Sequence, residues 1–264
     1  MRINLIQPIV RALTAGLLLT ACRGQPAARP LSRAWPVMGT VMSAAAWGPD
    51  SARLERALDG ARDSVERIDG LLHRTGGAIT GLDSLRREIR RRTGVALAVD
   101  DVAAGYALDR AALAIAAVAD SALLDLGGQF LWVGPPSRPT RRPVGIPDPD
   151  NTLNALATVG MRNGSVRTTS SAAGAAGAGG ARGARGAGGA RSVTVLAPSA
   201  MTAEAWSTGL SALGCDSALA LAPRVERRQV SVVCADSSGI RWTADLDGRV
   251  LLPTAPGRRP ARAP

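Results

Sequence analysis

Glu204 and Thr208 stand four residues apart in the stretch Met201 to Leu213, whose pattern predicts a helix. That spacing puts both side chains on one helix face. A carboxylate and a hydroxyl side by side offer hard oxygens of the kind Mg²⁺ prefers, an ion that keeps water and phosphate as its other ligands. Other chemistries are thinly supplied. His73 is the single histidine, next to Arg74 in a stretch read as a polar loop, so a Ser/His/Asp hydrolase would have to use it. There are 3 cysteines and no Cys-x-x-Cys spacing, which excludes a zinc site of Cys and His ligands. No Gly-x-Gly-x-x-Gly or P-loop follows a predicted strand. Arg86, Arg87, Arg90, Arg91 and Arg92 crowd one segment; their chemistry suits an anion, and the reading adopted is a solvated helix face.

The elements that must position these groups follow from periodicity. Trp35 to Met42 reads as a strand-like run broken by Gly39. Asp50 or Ser51 caps a helix whose inward residues are Leu54, Leu58, Ala61, Val65, Ile68 and Leu72. Leu82, Leu85 and Ile89 mark a shorter helix stopped by Gly94. Val95 to Val99 is a strand candidate, Ala103 to Val118 a helix, and Ala122 to Leu126 and Phe130 to Val133 two strands around Gly127-Gly128. Val144 to Ile146 is a short strand. Ala155 to Gly160 and Ser165 to Thr169 read as a hairpin about Asn163-Gly164. Ser192 to Leu196 is a strand, Ser217 to Ala222 a second helical piece after Gly214. Gln229 to Cys234, Ile240 to Thr243 and Arg249 to Leu252 read as a closing antiparallel meander. Interleaved helices and strands with late, closely spaced strands predict a single α+β domain, a layered mixed or antiparallel sheet with packed helices.

Composition bounds the partners. The chain has 264 residues, 46% of them hydrophobic, enough for a packed core. All 32 basic residues are Arg, giving a net charge of +11 and permitting attraction to anionic surfaces. Aromatics at 3% leave little for base stacking, so nucleic acid is not an expected partner. Residues 1–21 read as a lipoprotein signal peptide: Arg2 and Arg11 precede an apolar stretch too short to span a bilayer. Leu19-Thr20-Ala21-Cys22 resembles a bacterial lipobox, which implies a lipid on Cys22 and a place in the cell envelope, on the extracytoplasmic face. Residues 22–36 read as a tether, 37–252 as the domain, 172–190 as a flexible low-complexity loop of Ala, Gly and Arg, and 253–264 as a disordered basic tail. In an oxidising compartment a disulfide between Cys215 and Cys234 is open to the chain.

Four clusters stand in order: Met38-Gly39-Thr40, Ala104-Gly105-Tyr106-Ala107-Leu108-Asp109, Asp125-Leu126-Gly127-Gly128, and Ala203-Glu204-Ala205-Trp206-Ser207-Thr208. Their order and spacing, behind a lipobox, resemble the ApbE family, the FAD:protein FMN transferases, over most of residues 35 to 252. The resemblance implies Mg²⁺-dependent transfer of FMN from FAD to a Thr or Ser of an acceptor flavoprotein. It implies a flavin contact at Met38 and metal oxygens from Asp101, Glu204 and Thr208, with Glu204 where the family carries Asp. The departures are specific. Ala104 replaces the family's Lys and Ala98 an Asp. Thr169-Ser170-Ser171 stands for Thr-Ser-Gly, and the His-x-x-Asp-Pro-x-Thr-Gly loop has no counterpart. No catalytic base is assigned. Two further readings stand beside the enzyme: a degenerate, non-catalytic lipoprotein acting as a binding or scaffold module, and a basic exported protein that binds anionic surfaces.

Overall fold

In the computed structural model the described residues are 29–75, 79–134, 141–151, 153–170, 189–225 and 229–253. The first expected run is a hairpin. Strands β1 (Leu31–Val37) and β2 (Thr40–Trp47) pair antiparallel, and Val37 faces Thr40 across a two-residue turn. Both turn residues take positive φ, Met38 at 48° and Gly39 at 68°, the backbone twist that tight hairpins require. Strand β1 starts at Leu31, so residues 31–36 belong to the sheet, not to the expected tether. In β2 Met42, Ala44 and Ala46 are buried at every second position and turn to the helices.

Helix α1 (Ser51–Thr75) begins with the Asp50 carboxylate accepting the Arg53 amide at 3.0 Å, so Asp50 is the cap. It buries Leu54, Leu58, Ala61 and Val65. Helix α2 (Leu82–Thr93) buries Leu82, Leu85 and Ile89 and stops at Gly94. Helix α3 (Ala103–Ala116) packs against both α1 and the sheet, with Ala107, Leu108, Ala111 and Ile115 inward. Strands β3 (Ser121–Leu126) and β4 (Gln129–Val133) turn at Gly127-Gly128.

Strand β7 (Gly164–Ser170) then pairs with β4, β8 (Ser192–Ala197) with β7, β9 (Ser231–Asp236) with β8, and β10 (Gly239–Trp242) with β9. The result is an eight-stranded antiparallel sheet in the order β1-β2-β3-β4-β7-β8-β9-β10. Helices α1 to α3, α4 (Ala200–Ser211) and α5 (Cys215–Leu221) cover one face. A second, three-stranded sheet packs on the other. It comprises β5 (Arg142–Pro147), β6 (Ala155–Met161) and β11 (Val250–Leu251). The expected α+β layered architecture is what forms. Among the described residues no helix is long and apolar enough to cross a membrane.

Four local expectations are corrected. Strands β6 and β7 do not form a hairpin about Asn163-Gly164: β6 pairs with β5 and β11, while β7 joins the large sheet. Apolar Ala157, Val159 and Met161 must face the second core, and Gly164 lets β7 lie against β8, where a Cβ would come within 2.6 Å of the Ala197 carbonyl oxygen. The C-terminal strands are not one meander, since β11 pairs with β6 rather than β10. Residues 95–99 are not a strand; the Ala98 amide donates to the Asp101 carboxylate at 2.7 Å instead of to a neighbouring strand. His73 sits in the last turn of α1, with Nδ1 at 2.8 Å from the Asp69 carbonyl, not in a loop. Residues 172–188, the tail from 254 and Cys22 lie outside the described residues.

Cys215 at the start of α5 and Cys234 in β9 form a disulfide. It ties α5 to the sheet.

Candidate functional site

The site is built where the N-terminal ends of α3 and α4 meet. Ser199 caps α4, its hydroxyl accepting the Thr202 amide at 3.1 Å. The next two free amides, of Ala200 and Met201, are taken by the two oxygens of Asp109 from α3, at 2.7 and 3.0 Å. A carboxylate at a helix N-terminus is favoured by the unpaired amides there. Burial raises the pKa of Asp109, and these two amide bonds oppose the rise. Gln129 completes the junction, its Nε2 donating to the Ala200 carbonyl at 2.7 Å. The helices approach closely because residue 105 is glycine: a Cβ there would lie 2.5 Å from the Ala200 carbonyl oxygen. That closeness brings the Gly105 amide to Oε2 of Glu204, at 2.7 Å.

Strand β7 supplies the other wall. Alternation sends Ser165, Arg167 and Thr169 to one side, toward α4. Ser165 takes a hydrogen bond from Gln129, and Thr169 donates to Ser207 at 2.9 Å. Between them Arg167, 4% exposed, places Nη2 at 4.0 Å from Oε1 of Glu204, itself 1% exposed. Its Nη1 donates to the Gly127 carbonyl at 3.2 Å. Arg167 also lowers the pKa of Asp125, although burial dominates and the net shift there is upward. One guanidinium therefore serves the turn between β3 and β4 and the middle of α4.

Glu204 has a pKa pushed up to about 7. Burial is the main cause; Asp101 and Asp109 add repulsion, while Arg167 and the Gly105 amide pull the other way. Thr208, one turn further along α4 and 5% exposed, has a buried hydroxyl oxygen with no hydrogen-bond partner.

The structure brings Glu204 and Thr208 to one buried face as their spacing predicts. Asp101 lies in the turn before α3, close enough for its charge to act on Glu204. Met38 occupies the β1–β2 turn, half-buried against the apolar core under α1 and α3. That turn neighbours the Gly127 turn, since Thr40 is the first contact a Gly127 side chain would meet. Sequence reasoning missed Arg167, and the signal was there: a single charge within a strand of otherwise uncharged residues.

The donor set expected for Mg²⁺ fits this geometry poorly. One Glu204 oxygen takes the Gly105 amide, the other faces a guanidinium, and the Asp101 carboxylate takes the Ala98 amide. Among the described residues no three His, Cys, Asp or Glu side chains converge as a metal site.

An antiparallel sheet with helices on one face, a second small sheet on the other and a charged site at two helix N-termini defines the class: a layered α+β protein with a polar site at one end of its large sheet. Residues 25–233 match the sequence profile of the ApbE family, and the chain belongs to that family. No curated protein matches it. Among solved structures it is similar to a point-mutant form of the flavin transferase ApbE from Vibrio cholerae, at 15% identity and a TM-score of 0.60, over 84% of this chain and 100% of that one. It is similar to the flavinyl transferase ApbE of Pseudomonas stutzeri in its apo form, at 16% identity and a TM-score of 0.55, over 86% and 98%. The ApbE protein of Thermotoga maritima aligns at 15% identity and a TM-score of 0.53, over 84% and 99%. At such identities the likeness is one of fold.

Proposed function

We propose that this chain is an FAD:protein FMN transferase of the cell envelope. The acceptor hydroxyl of a Thr or Ser attacks the FMN phosphorus of FAD, the phosphoanhydride bond breaks with AMP leaving as the phosphate that takes the bonding electron pair, and the hydroxyl proton passes to solvent. The observation that carries the reading is the buried Arg167–Glu204–Thr208 cluster at the helix junction of an ApbE-family fold. There Arg167 supplies positive charge against the diphosphate, the kind of preorganised stabilisation that such a step needs. Met38 and its turn, beside the Gly127 turn, are assigned to the flavin. No step in this reading passes through a metal.

The test is direct. Purified protein with FAD and a candidate acceptor releases AMP and yields a covalently fluorescent acceptor, and Arg167→Met abolishes both. The second reading, a module that binds FAD without transferring it, is favoured by Ala104, which removes the family's cation beside the site. Flavin binding without AMP release selects it.

Location is part of the proposal. Lipid on Cys22 would hold the domain at the membrane, and the Cys215–Cys234 disulfide supports an oxidising compartment. Cys22→Ser should move the protein from the membrane fraction to the soluble one; a variant that stays membrane-bound defeats the anchor.

A further inference from the structure

We infer that the Arg167 guanidinium is the resident cation of this site, standing as counter-ion to Glu204 in place of a divalent metal, so that the site works without Mg²⁺. The inference rests on the transferase reading only for the ligand it names, a flavin dinucleotide; the metal question stands by itself.

Three observations carry it. Arg167 and Glu204 are 4% and 1% exposed and within 4.0 Å, so the carboxylate's charge already has a partner out of water. Removing one partner of such a pair is costly because it strands the other charge. A dication bound by Oε1 would have to displace the guanidinium or share the carboxylate with it against direct repulsion. Second, Oε2 is committed to the Gly105 amide at 2.7 Å, a bond fixed by the backbone approach of α3 to α4. Mg²⁺ demands near-ideal octahedral oxygens, and both Glu204 oxygens are already oriented by other partners, Oε2 by the Gly105 amide and Oε1 toward the Arg167 guanidinium. Third, the guanidinium is anchored away from solvent by the Gly127 carbonyl and sits near Asp125, so it is held in place rather than swung in. The charged groups facing Glu204 are Arg167 from β7, Asp109 from α3 and Asp101 from the turn before it. The hydroxyl of Thr208 is buried beside this pair without a hydrogen-bond partner.

The experiment uses the metal alone, on the intact chain. Wild-type protein freed of metal by chelation is titrated with Mg²⁺ while its Tm is followed, and with Mn²⁺ while bound ion is counted by electron paramagnetic resonance. The expected result is no saturable Tm shift and no stoichiometric Mn²⁺. In Arg167→Met, which leaves Glu204, Thr208 and Asp101 with no built-in cation, Mg²⁺ should raise Tm saturably. If Arg167→Met does not fold, the wild-type titrations still decide. Saturable Mg²⁺ stabilisation of the wild type that Glu204→Gln abolishes overturns the inference. FAD affinity, measured by flavin fluorescence with chelator and with Mg²⁺, separates the two claims. Equal affinity supports both. No FAD binding in either buffer removes the transferase reading and leaves the metal result standing.

Discussion

Glu204 is a carboxylate almost wholly out of water, with one guanidinium and two acidic groups facing it. Its folded pKa of about 7 lies above the ordinary 4.5, so in that window the folded state holds a proton that the unfolded chain has lost. Stability conferred by the neutral form is fully present below about 4.5 and is lost as pH rises toward 7. Urea denaturation across this range should show wild type losing on the order of 3 kcal/mol relative to Glu204→Gln, whose amide does not titrate. A difference that stays flat from pH 4.5 to 7 would show that Glu204 is ionised throughout. Gly105 makes the neighbouring argument sterically. Gly105→Ala adds a Cβ 2.5 Å from the Ala200 carbonyl oxygen, which Gln129 holds, on a residue whose amide is held by Asp109, so α4 must move. The expected cost is about 2 kcal/mol despite the gain in helix propensity, read as a lower denaturation midpoint. The same shift should weaken any FAD binding, because the Gly105 amide leaves Glu204.

At the scale of elements, the junction depends on α4, which is buried along nearly its whole length, from Thr202 to Leu210. Such a helix has no solvent face to orient it, so its direction is set by its ends: Ser199 and Asp109 at the start, and the disulfide-linked α5 after Gly214. Cys215 and Cys234 are separated by 19 positions. Closing a loop of that order stabilises a fold by about 3 kcal/mol, largely by restricting the unfolded chain. Replacing both cysteines with Ala should lower stability by that amount in guanidinium titrations, and wild type under reducing conditions should match the variant. Equal midpoints for oxidised and reduced protein would show that the bond does not constrain the unfolded state.

Across the whole molecule two cores share one sheet. Helices cover one face, while the three-stranded sheet packs Val144, Ile146, Val159 and Met161 against Trp132, Val166, Leu196 and Val233 on the other. Because β7 and β8 contribute side chains to both faces, damage on the far side should reach the site. Ile146→Ala removes a side chain only 1% exposed and should cost about 3 kcal/mol. Unfolding followed by far-ultraviolet circular dichroism and by the near-ultraviolet signal of the five tryptophans, which include Trp206 in the helix-side core and Trp132 in the small-sheet core, should remain one coincident transition. Separate transitions would mean that the small sheet unfolds by itself.

Much of this was legible in the residues. Period-of-four spacing gave α1 and α2 their inward faces, since a helix's exposure follows its own geometry. The spacing of Glu204 and Thr208 placed them on one face for the same reason. The Met-Gly-Thr and Leu-Gly-Gly clusters marked two turns, because few residues tolerate positive φ. Pairing between strands was not legible. Strand β6 looked like the partner of β7 because they are adjacent in sequence, yet each went where its apolar face found a core. Residues 95–99 looked like a strand until the Asp101 side chain took the Ala98 amide. Arg167 was not legible for a related reason. Arg167 and Glu204 are far apart in the chain, and only the register of β4, β7 and β8 under α4 sets the guanidinium beside the carboxylate. Local sequence determined which faces were apolar, where helices start and where turns fall. Tertiary structure alone decided which charges meet, because that depends on long-range pairing and on the burial that makes an ion pair matter.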